Sequence, residues 1–304
     1  MFADDTKCLK SVSSPSDTVQ IQRDLNELSQ WSNTWCLPFN VTKCSVIHFF
    51  STSSLLSPTY YLNCSPVSTV VSQKDLGVPF SEDLSWSSHY KQLAATAYKT
   101  LGLLRRTFSS AVDIPTRKLL YTSLIRSKLT YASTVWRPHF LKDILFLERI
   151  QRRATKFILN DYHSDYKTRL IKLNMLPLMM TFELADISFF LNNFHFSDSP
   201  SNFNASNYFS FSSTSTRSST FHKLSFNFTS HHSSHHTFFT LFPLLWNSLP
   251  PVKISLSKKT IKLHVKKTFW NHFIVRFYPN NVCSYHYVCP CFSCANLPVN
   301  SMYS

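Results

Sequence analysis

Residues 142–159, KDILFLERIQRRATKFIL, carry the clearest helical pattern in the 304-residue sequence. At 100° per residue, apolar side chains fall on one side of this segment and basic side chains on the other. The apolar side chains are Leu147, Ile150, Ala154, Phe157 and Ile158, and the basic ones are Arg149, Arg152, Arg153 and Lys156. We predict a helix that packs through its apolar face. The four basic residues form the opposite face, here called the cationic ridge.

The cationic ridge lies within a broader basic region. From Lys91 to Lys172 the chain has seventeen basic and five acidic residues, whereas its first ninety residues have five basic and eight acidic ones. The whole chain carries a formal net charge of +15, which favours a polyanionic partner such as nucleic acid. The alternative is that the ridge is an ordinary solvated helix face. Four aromatic residues could stack on bases or pack in the core: Trp86, Tyr121, Tyr131 and Trp136.

The remaining patterns predict a mostly helical chain with strands near its start, and therefore an α+β fold. Helices are expected at residues 18–35, 89–104, 114–132, 164–196 with a break at Pro177, and 256–276. Residues 44–50 are apolar and β-branched enough for a buried strand. The first helix should pack inward through an apolar face of Val19, Leu25, Leu28, Trp31 and Trp35.

Composition excludes several classes of protein. The chain has only two glycines, so glycine-rich phosphate loops and dinucleotide-binding fingerprints are excluded. No secretory signal and no apolar run of membrane-spanning length can be recognised, which predicts an intracellular protein without a membrane partner. The compartment, cytoplasm or nucleus, stays open.

The eight cysteines of an intracellular chain are expected to be thiols or metal ligands rather than disulfides. Four of them, Cys283, Cys289, Cys291 and Cys294, lie within CSYHYVCPCFSC. Four thiolates suit a tetrahedral Zn²⁺ site, although their spacing is not that of a standard zinc finger. The alternative is a set of reduced surface thiols.

Several blocks occur in a recognisable order along the chain. They are FADDT, LNELSQWSNTWCLPFNVTKC, KDLGVPF, LGLLRRTF, LLYTSLIRSKLTYASTVW, LERIQRRATKFI, DYKTRLIKLNMLPL and PLLWNSLP. This succession resembles the reverse transcriptase of non-LTR (LINE-type, jockey-like) retrotransposons over residues 1 to about 250. The resemblance implies part of a polymerase palm at residues 1–85, a helical thumb and post-thumb region at 86–196, a Ser/His-rich linker at 197–240, and a basic helix with a cysteine-rich tail at 241–304.

The resemblance also implies functional residues. Asp4 and Asp5 correspond to the palm hairpin that carries catalytic aspartates, which bind Mg²⁺ in two-metal nucleotidyl transfer. Lys43 corresponds to a lysine near the phosphates of the incoming nucleotide, with a solvated lysine as the alternative. Leu76 and Gly77 lie in a segment similar to the primer-grip hairpin.

The family pattern continues upstream of the catalytic hairpin, with fingers and another metal-binding aspartate, whereas this sequence begins at Met1. We therefore expect a fragment of an RNA-directed DNA polymerase that is inactive alone. The complete enzyme would use an RNA template, a DNA primer, deoxynucleotide triphosphates and Mg²⁺. Two alternatives remain: a non-catalytic nucleic-acid-binding protein, and the unfolded product of a decayed transposable element.

Overall fold

The computed structural model describes residues 6–49, 58–108, 112–194, 209–211, 223–225, 238–250 and 257–276. The chain divides into two compact units, Met1–His89 and Tyr90–Ser304. It mixes α and β structure and is mostly helical, as the sequence predicts.

The described part of the first unit contains one long helix and three strand pairs. Its elements are α1 (Pro15–Thr34), a 3₁₀ turn (Val41–Lys43), β1 (Ser45–Val46), β2 (Tyr61–Leu62), β3 (Ser65–Pro66), β4 (Ser68–Thr69), β5 (Ser72–Asp75) and β6 (Val78–Ser81). Strands β1 and β4 pair in parallel, while β2 pairs with β3 and β5 with β6 in antiparallel fashion. Among the described residues, each sheet therefore has only two strands.

Helix α1 begins with a capping box. The Asp17 carboxylate accepts hydrogen bonds from the backbone N–H of Ser13 and Ser14, and these bonds hold the pKa of Asp17 below its ordinary value. Further along α1, the Gln22 side chain pairs with Tyr61, donating to its carbonyl oxygen over 2.8 Å and accepting from its N–H over 2.9 Å. The helix therefore completes the backbone hydrogen bonding of β2.

The predicted inward face of α1 forms only in part: the helix is present and Leu25 and Leu28 are half-buried. Val19, Trp31 and Trp35 are exposed, and Ser32 is the only buried residue of the helix. Hydrophobic spacing specifies which side chains share a helix face, but burial also requires a partner surface of comparable size. The short strands of this unit supply little such surface.

The segment 44–50 forms a shorter and less buried strand than predicted. Only Ser45 and Val46 are paired, and both are half-buried. In KDLGVPF, by contrast, β5 and β6 form a hairpin in which Asp75 faces Val78. The two turn residues Leu76 and Gly77 have φ values of 43° and 87°, the positive φ at both positions that a type I′ turn requires.

The second unit consists of helices with one short strand pair in its described part. Its elements are α2 (Ser87–Thr107, which crosses the unit boundary in its first turn), α3 (Ile114–Tyr121), a π-helical turn (Thr122–Arg126), α4 (Ser127–Thr130), α5 (Ser133–Trp136), α6 (Leu141–Leu159), α7 (Tyr166–Lys172), α8 (Leu178–Phe194), β7 (Ser210–Phe211), β8 (Leu224–Ser225), α9 (Phe238–Ser248) and α10 (Lys258–Arg276). Strands β7 and β8 pair in antiparallel fashion within the segment predicted to be a linker. The predicted helical break at Pro177 is confirmed.

The core of the second unit forms around α6 and α8. All five residues of the predicted apolar face of α6 are buried. Helix α8 contacts α4, α5, α6, α9 and α10. Its Phe182 meets Trp136 edge to face at 5.5 Å between ring centroids, and its Phe190 lies 4.5 Å from Phe242 of α9. Each large aromatic side chain removed from water contributes roughly 2–3 kcal/mol, so this core is the main source of stability.

Candidate nucleic-acid interface

The cationic ridge lies on the solvent side of α6, as the sequence predicts. Arg149 and Arg153 are exposed, and Arg152 and Lys156 are half-buried. Within the described ranges, no carboxylate oxygen lies at ion-pair distance from any of these four side chains. The ridge therefore keeps its positive charge available for a ligand.

A cleft of about 360 Å³ opens beside the cationic ridge, here called the basic cleft. Its lining residues come from α6, from the loop that follows it, and from α7. They are Arg149, Arg152, Arg153, Lys156, Tyr162, Ser164, Asp165, Tyr166 and Arg169. Five of these side chains are cationic and one is acidic, so the cleft is strongly positive.

The loop between α6 and α7 is shaped by local hydrogen bonds. Helix α6 ends at Asn160 in the left-handed conformation, with φ 50°. Asp161 then accepts hydrogen bonds from the backbone N–H of His163 and Ser164, and from Lys172 Nζ over 3.0 Å. The side chain and the backbone N–H of Ser164, together with Lys172, hold the pKa of Asp161 well below its usual range. Such a turn fixes the course of the chain along one side of the cleft.

Aromatic rings orient three of the arginines in the basic cleft. The guanidinium carbon of Arg152 lies 4.9 Å from the centroid of the Tyr166 ring, and that of Arg169 lies 5.9 Å from the same ring. Arg153 lies 4.9 Å from the ring of Tyr98 on α2. When the flat face of a guanidinium group stacks on an aromatic ring, its in-plane N–H groups can still donate to oxygen acceptors. This arrangement suits phosphate oxygens.

Arg169 has a structural role within the cleft. Its Nε donates to Thr155 Oγ1 over 3.2 Å, and its Nη1 donates to the carbonyl oxygen of Ser164. These bonds join α7 to α6 and to the intervening loop. Arg169 therefore forms one wall of the cleft, while the cationic ridge supplies the more accessible charges.

A buried polar network, which the hydrophobic pattern of α6 does not predict, lies behind the cleft. The Glu148 carboxylate accepts from the Tyr166 hydroxyl, and its two oxygens lie 3.1 and 3.0 Å from the backbone nitrogen of Leu178 at the start of α8. Gln151 accepts from the Tyr121 hydroxyl over 3.0 Å and donates to that of Tyr166 over 3.1 Å. Burial raises the pKa of Glu148 and of Tyr166.

A signal for this network exists in the sequence. Glu148, Gln151 and Thr155 have i, i+3, i+7 spacing, which aligns three polar residues along the otherwise apolar side of α6. All three are buried. A polar line on a core-facing helix surface indicates that buried polar partners must come from another segment.

Two further buried cations have structural partners. Arg117 donates to the carbonyl oxygen of Phe157 over 2.8 Å, and Arg137 Nη1 lies 3.0 Å from Asp186 Oδ2 of α8. Burial raises the pKa of Asp186 to about 6, against the opposing effect of Arg137. Both arginines therefore belong to the interior rather than to a binding surface.

The other predicted site residues are distributed as follows. Lys43 is exposed at the end of the 3₁₀ turn, and Leu76 and Gly77 form the β5–β6 turn. Asp4, Asp5 and the four cysteines Cys283, Cys289, Cys291 and Cys294 lie outside the described residues. In the described part of the chain, no group of three or more His, Cys, Asp or Glu side chains is placed to hold a metal ion. The Mg²⁺ and Zn²⁺ sites stay predictions.

The four aromatic residues considered for base stacking have different environments. Tyr121 and Trp136 are fully buried and belong to the core. Trp86 is half-buried and meets the ring of Phe80, whereas Tyr131 is exposed. A fifth aromatic residue, Tyr162, has no distinguishing sequence pattern and is 53% exposed at the basic cleft.

Comparison with known proteins gives no match: no family model, no curated protein and no solved structure is similar to this chain. None of the helices in the described ranges combines the length and the hydropathy needed to cross a membrane.

Proposed function

We propose that this chain binds nucleic acid through the basic cleft and the cationic ridge. The observation that carries the proposal is the grouping of five cationic side chains around one cleft, four of them without a carboxylate partner among the described residues. Like charges gathered at one place repel each other, and a polyanion relieves that repulsion. Phosphate oxygens are also the acceptors that guanidinium groups bind best.

This proposal is tested by a salt titration. The affinity of the full chain for a fluorescein-labelled oligothymidylate is measured by fluorescence anisotropy at increasing KCl. Binding should weaken steeply with salt, because phosphate contacts release condensed counterions. Absence of binding at low salt would end the proposal.

A matched pair of variants locates the contact. Arg149→Gln with Lys156→Gln removes two charges from the basic cleft, and Lys91→Gln with Arg106→Gln removes two exposed charges from α2. The first variant should reduce the slope of log affinity against log salt by about 1.4 for a single strand, at about 0.7 per lost contact. The second should leave the slope close to that of the wild type. Equal slopes in the two variants would exclude the cleft as the contact.

We further propose that the nucleic-acid-binding region belongs to an RNA-directed DNA polymerase of the non-LTR retrotransposon type. The ordered sequence blocks support this, and so does the tight hairpin at Leu76 and Gly77, where the resemblance implies one. In that enzyme Asp4 and Asp5 would hold Mg²⁺, and Lys43 would contact the nucleotide phosphates. RNA template and DNA primer would lie along the basic surface of the helical unit.

The polymerase proposal is tested by primer extension. The assay uses a longer protein that contains this chain together with polymerase fingers, an RNA template, a DNA primer, deoxynucleotides and Mg²⁺. Asp4→Ala and Asp5→Ala should each abolish synthesis, and Lys10→Ala serves as a control near the same end of the chain. Unchanged synthesis in both aspartate variants would overturn the assignment.

A further inference from the structure

The basic cleft presents two kinds of surface to a ligand, one charged and one aromatic. Arg149, Arg152 and Lys156 offer positive charge, while Tyr162 offers an aromatic ring that is 53% exposed. Tyr166, the other aromatic residue of the cleft, is 3% exposed and lies beneath Arg152. Tyr162 is therefore the ring of the cleft that a ligand can reach.

We propose that the basic cleft binds one nucleotide unit of a single strand, with the phosphate on the cationic ridge and the base stacked on Tyr162. This inference rests on the proposed function and specifies the form of nucleic acid. Duplex bases are covered by their neighbours on both faces, so Tyr162 can stack on a base only where the strand is unpaired. The cationic ridge attracts phosphates of either form.

The size of the cleft agrees with a ligand of this kind. About 360 Å³ lies near the lower end of the range for small-molecule sites, roughly 300–1,000 Å³. Such a volume is suited to a ligand of the size of one nucleotide. The chain of a longer strand would continue from this nucleotide along the cationic ridge.

The one acidic side chain of the cleft does not oppose this arrangement. Asp165 is the N-cap of α7 and accepts a hydrogen bond from the backbone N–H of Thr168 over 3.3 Å. Its charge also acts on Arg169. Asp165 therefore acts, with Asp161, on the structural arginine, and no side chain of the cationic ridge forms an ion pair with a described carboxylate.

The experiment compares two ligands under the same salt conditions. One is a labelled single-stranded oligothymidylate, and the other is a labelled dumbbell duplex with both ends closed, so that no terminal base is exposed. Fluorescence anisotropy gives the affinity of the full-length chain for each. Tyr162→Ala should weaken single-strand binding about five- to tenfold and leave duplex binding unchanged, because one stacking contact is lost.

Two further variants make this result specific. Tyr162→Phe keeps the ring and should bind the single strand as the wild type does. Tyr131→Ala removes another exposed tyrosine of the same unit, 56% exposed and outside the cleft lining, and should have no effect on either ligand. A single strand that carries 5-iodouracil should in addition form a photochemical cross-link to Tyr162, identified by peptide mass spectrometry.

The possible failures can be told apart. If the wild type binds neither ligand at low salt, the proposed function itself is wrong. If the wild type binds and Tyr162→Ala leaves single-strand affinity unchanged, or weakens both ligands equally, the stacking proposal is overturned while nucleic-acid binding stands. An effect of Tyr131→Ala that equals that of Tyr162→Ala would likewise overturn it.

Discussion

The two units of the chain differ in how completely their apolar surfaces are covered. In the described part of the first unit, the buried apolar side chains are Tyr60, Leu62, Val67 and Val78, and the apolar face of α1 is largely exposed. In the second unit, α6 and α8 bury most of their described apolar residues. Isolated two-stranded sheets are marginally stable, whereas long packed helices build a core. We therefore expect the second unit to unfold last and to carry most of the stability.

The largest expected effect comes from a cavity in the core of the second unit. Leu147 is completely buried on α6, so Leu147→Ala should reduce the free energy of unfolding by about 4 kcal/mol. Val19→Ala on the exposed face of α1 should change it by less than about 0.5 kcal/mol. Urea denaturation followed by circular dichroism measures both. Equal destabilisation by the two variants would contradict the contrast between the units.

The next effect concerns pH and the buried Asp186. Its folded-state pKa of about 6 lies above the ordinary value of 3.8, so the folded chain binds more protons than the unfolded chain between these values. The contribution of Asp186 to stability is therefore present below pH 4 and is lost as pH rises to 6. The loss is about 3 kcal/mol.

Asp186→Asn removes this titration. The stability of the wild type minus that of the variant should fall between pH 4 and pH 6, as measured by urea denaturation across that range. A constant difference between wild type and Asp186→Asn would show that Arg137 keeps Asp186 ionised throughout.

A smaller loss is expected from the buried network of the second unit. Glu148→Gln leaves one oxygen to accept from both the Tyr166 hydroxyl and the Leu178 N–H, and it adds a buried NH₂ donor that faces these donors instead of an acceptor. An unsatisfied buried donor costs about 2 kcal/mol. Thermal melting should show this loss, and Glu27→Gln on α1 should show none. A melting temperature of Glu148→Gln equal to that of the wild type would contradict the network.

The smallest effect concerns the hairpin of the first unit. Gly77 has φ 87°, so Gly77→Ala should destabilise the β5–β6 hairpin by about 1 kcal/mol. Leu76→Asn should stabilise it slightly, because Asn tolerates positive φ better than Leu. Hydrogen exchange of the paired amides at Asp75 and Val78 measures both changes. Faster exchange in Leu76→Asn than in the wild type would contradict the turn geometry.

The parts of the fold that the sequence predicts are those with strong local signals. Helix α6 follows from one amphipathic stretch, and its buried and charged faces both lie where the spacing indicates. The exposed face of α1 and the short strand at Ser45 and Val46 show the limit of such signals. Spacing describes one element, whereas burial and pairing depend on a second element that the same stretch does not specify.

Likewise, only part of the candidate site could be predicted from the sequence. The cationic ridge comes from consecutive turns of one helix, so its spacing alone locates it. Arg169 and Tyr162 reach the cleft because a tight loop returns α7 to α6, and the hydrogen bonds of Asp161 that shape this loop have no periodic signal. Glu148 lies in a line of polar residues on the apolar face of α6, and its partner Tyr166 follows eighteen residues later. Its burial could therefore be predicted only by considering both segments together.

Tyr166 has a consequence for the energetics of binding. Its hydroxyl is held by Glu148 and Gln151 in the interior, while its ring supports Arg152 at the surface. A side chain fixed at both ends has little rotational freedom left to lose when a ligand arrives. Folding therefore already orders part of the cleft, and the Arg152 guanidinium is in position before a phosphate binds. Binding then loses less conformational entropy.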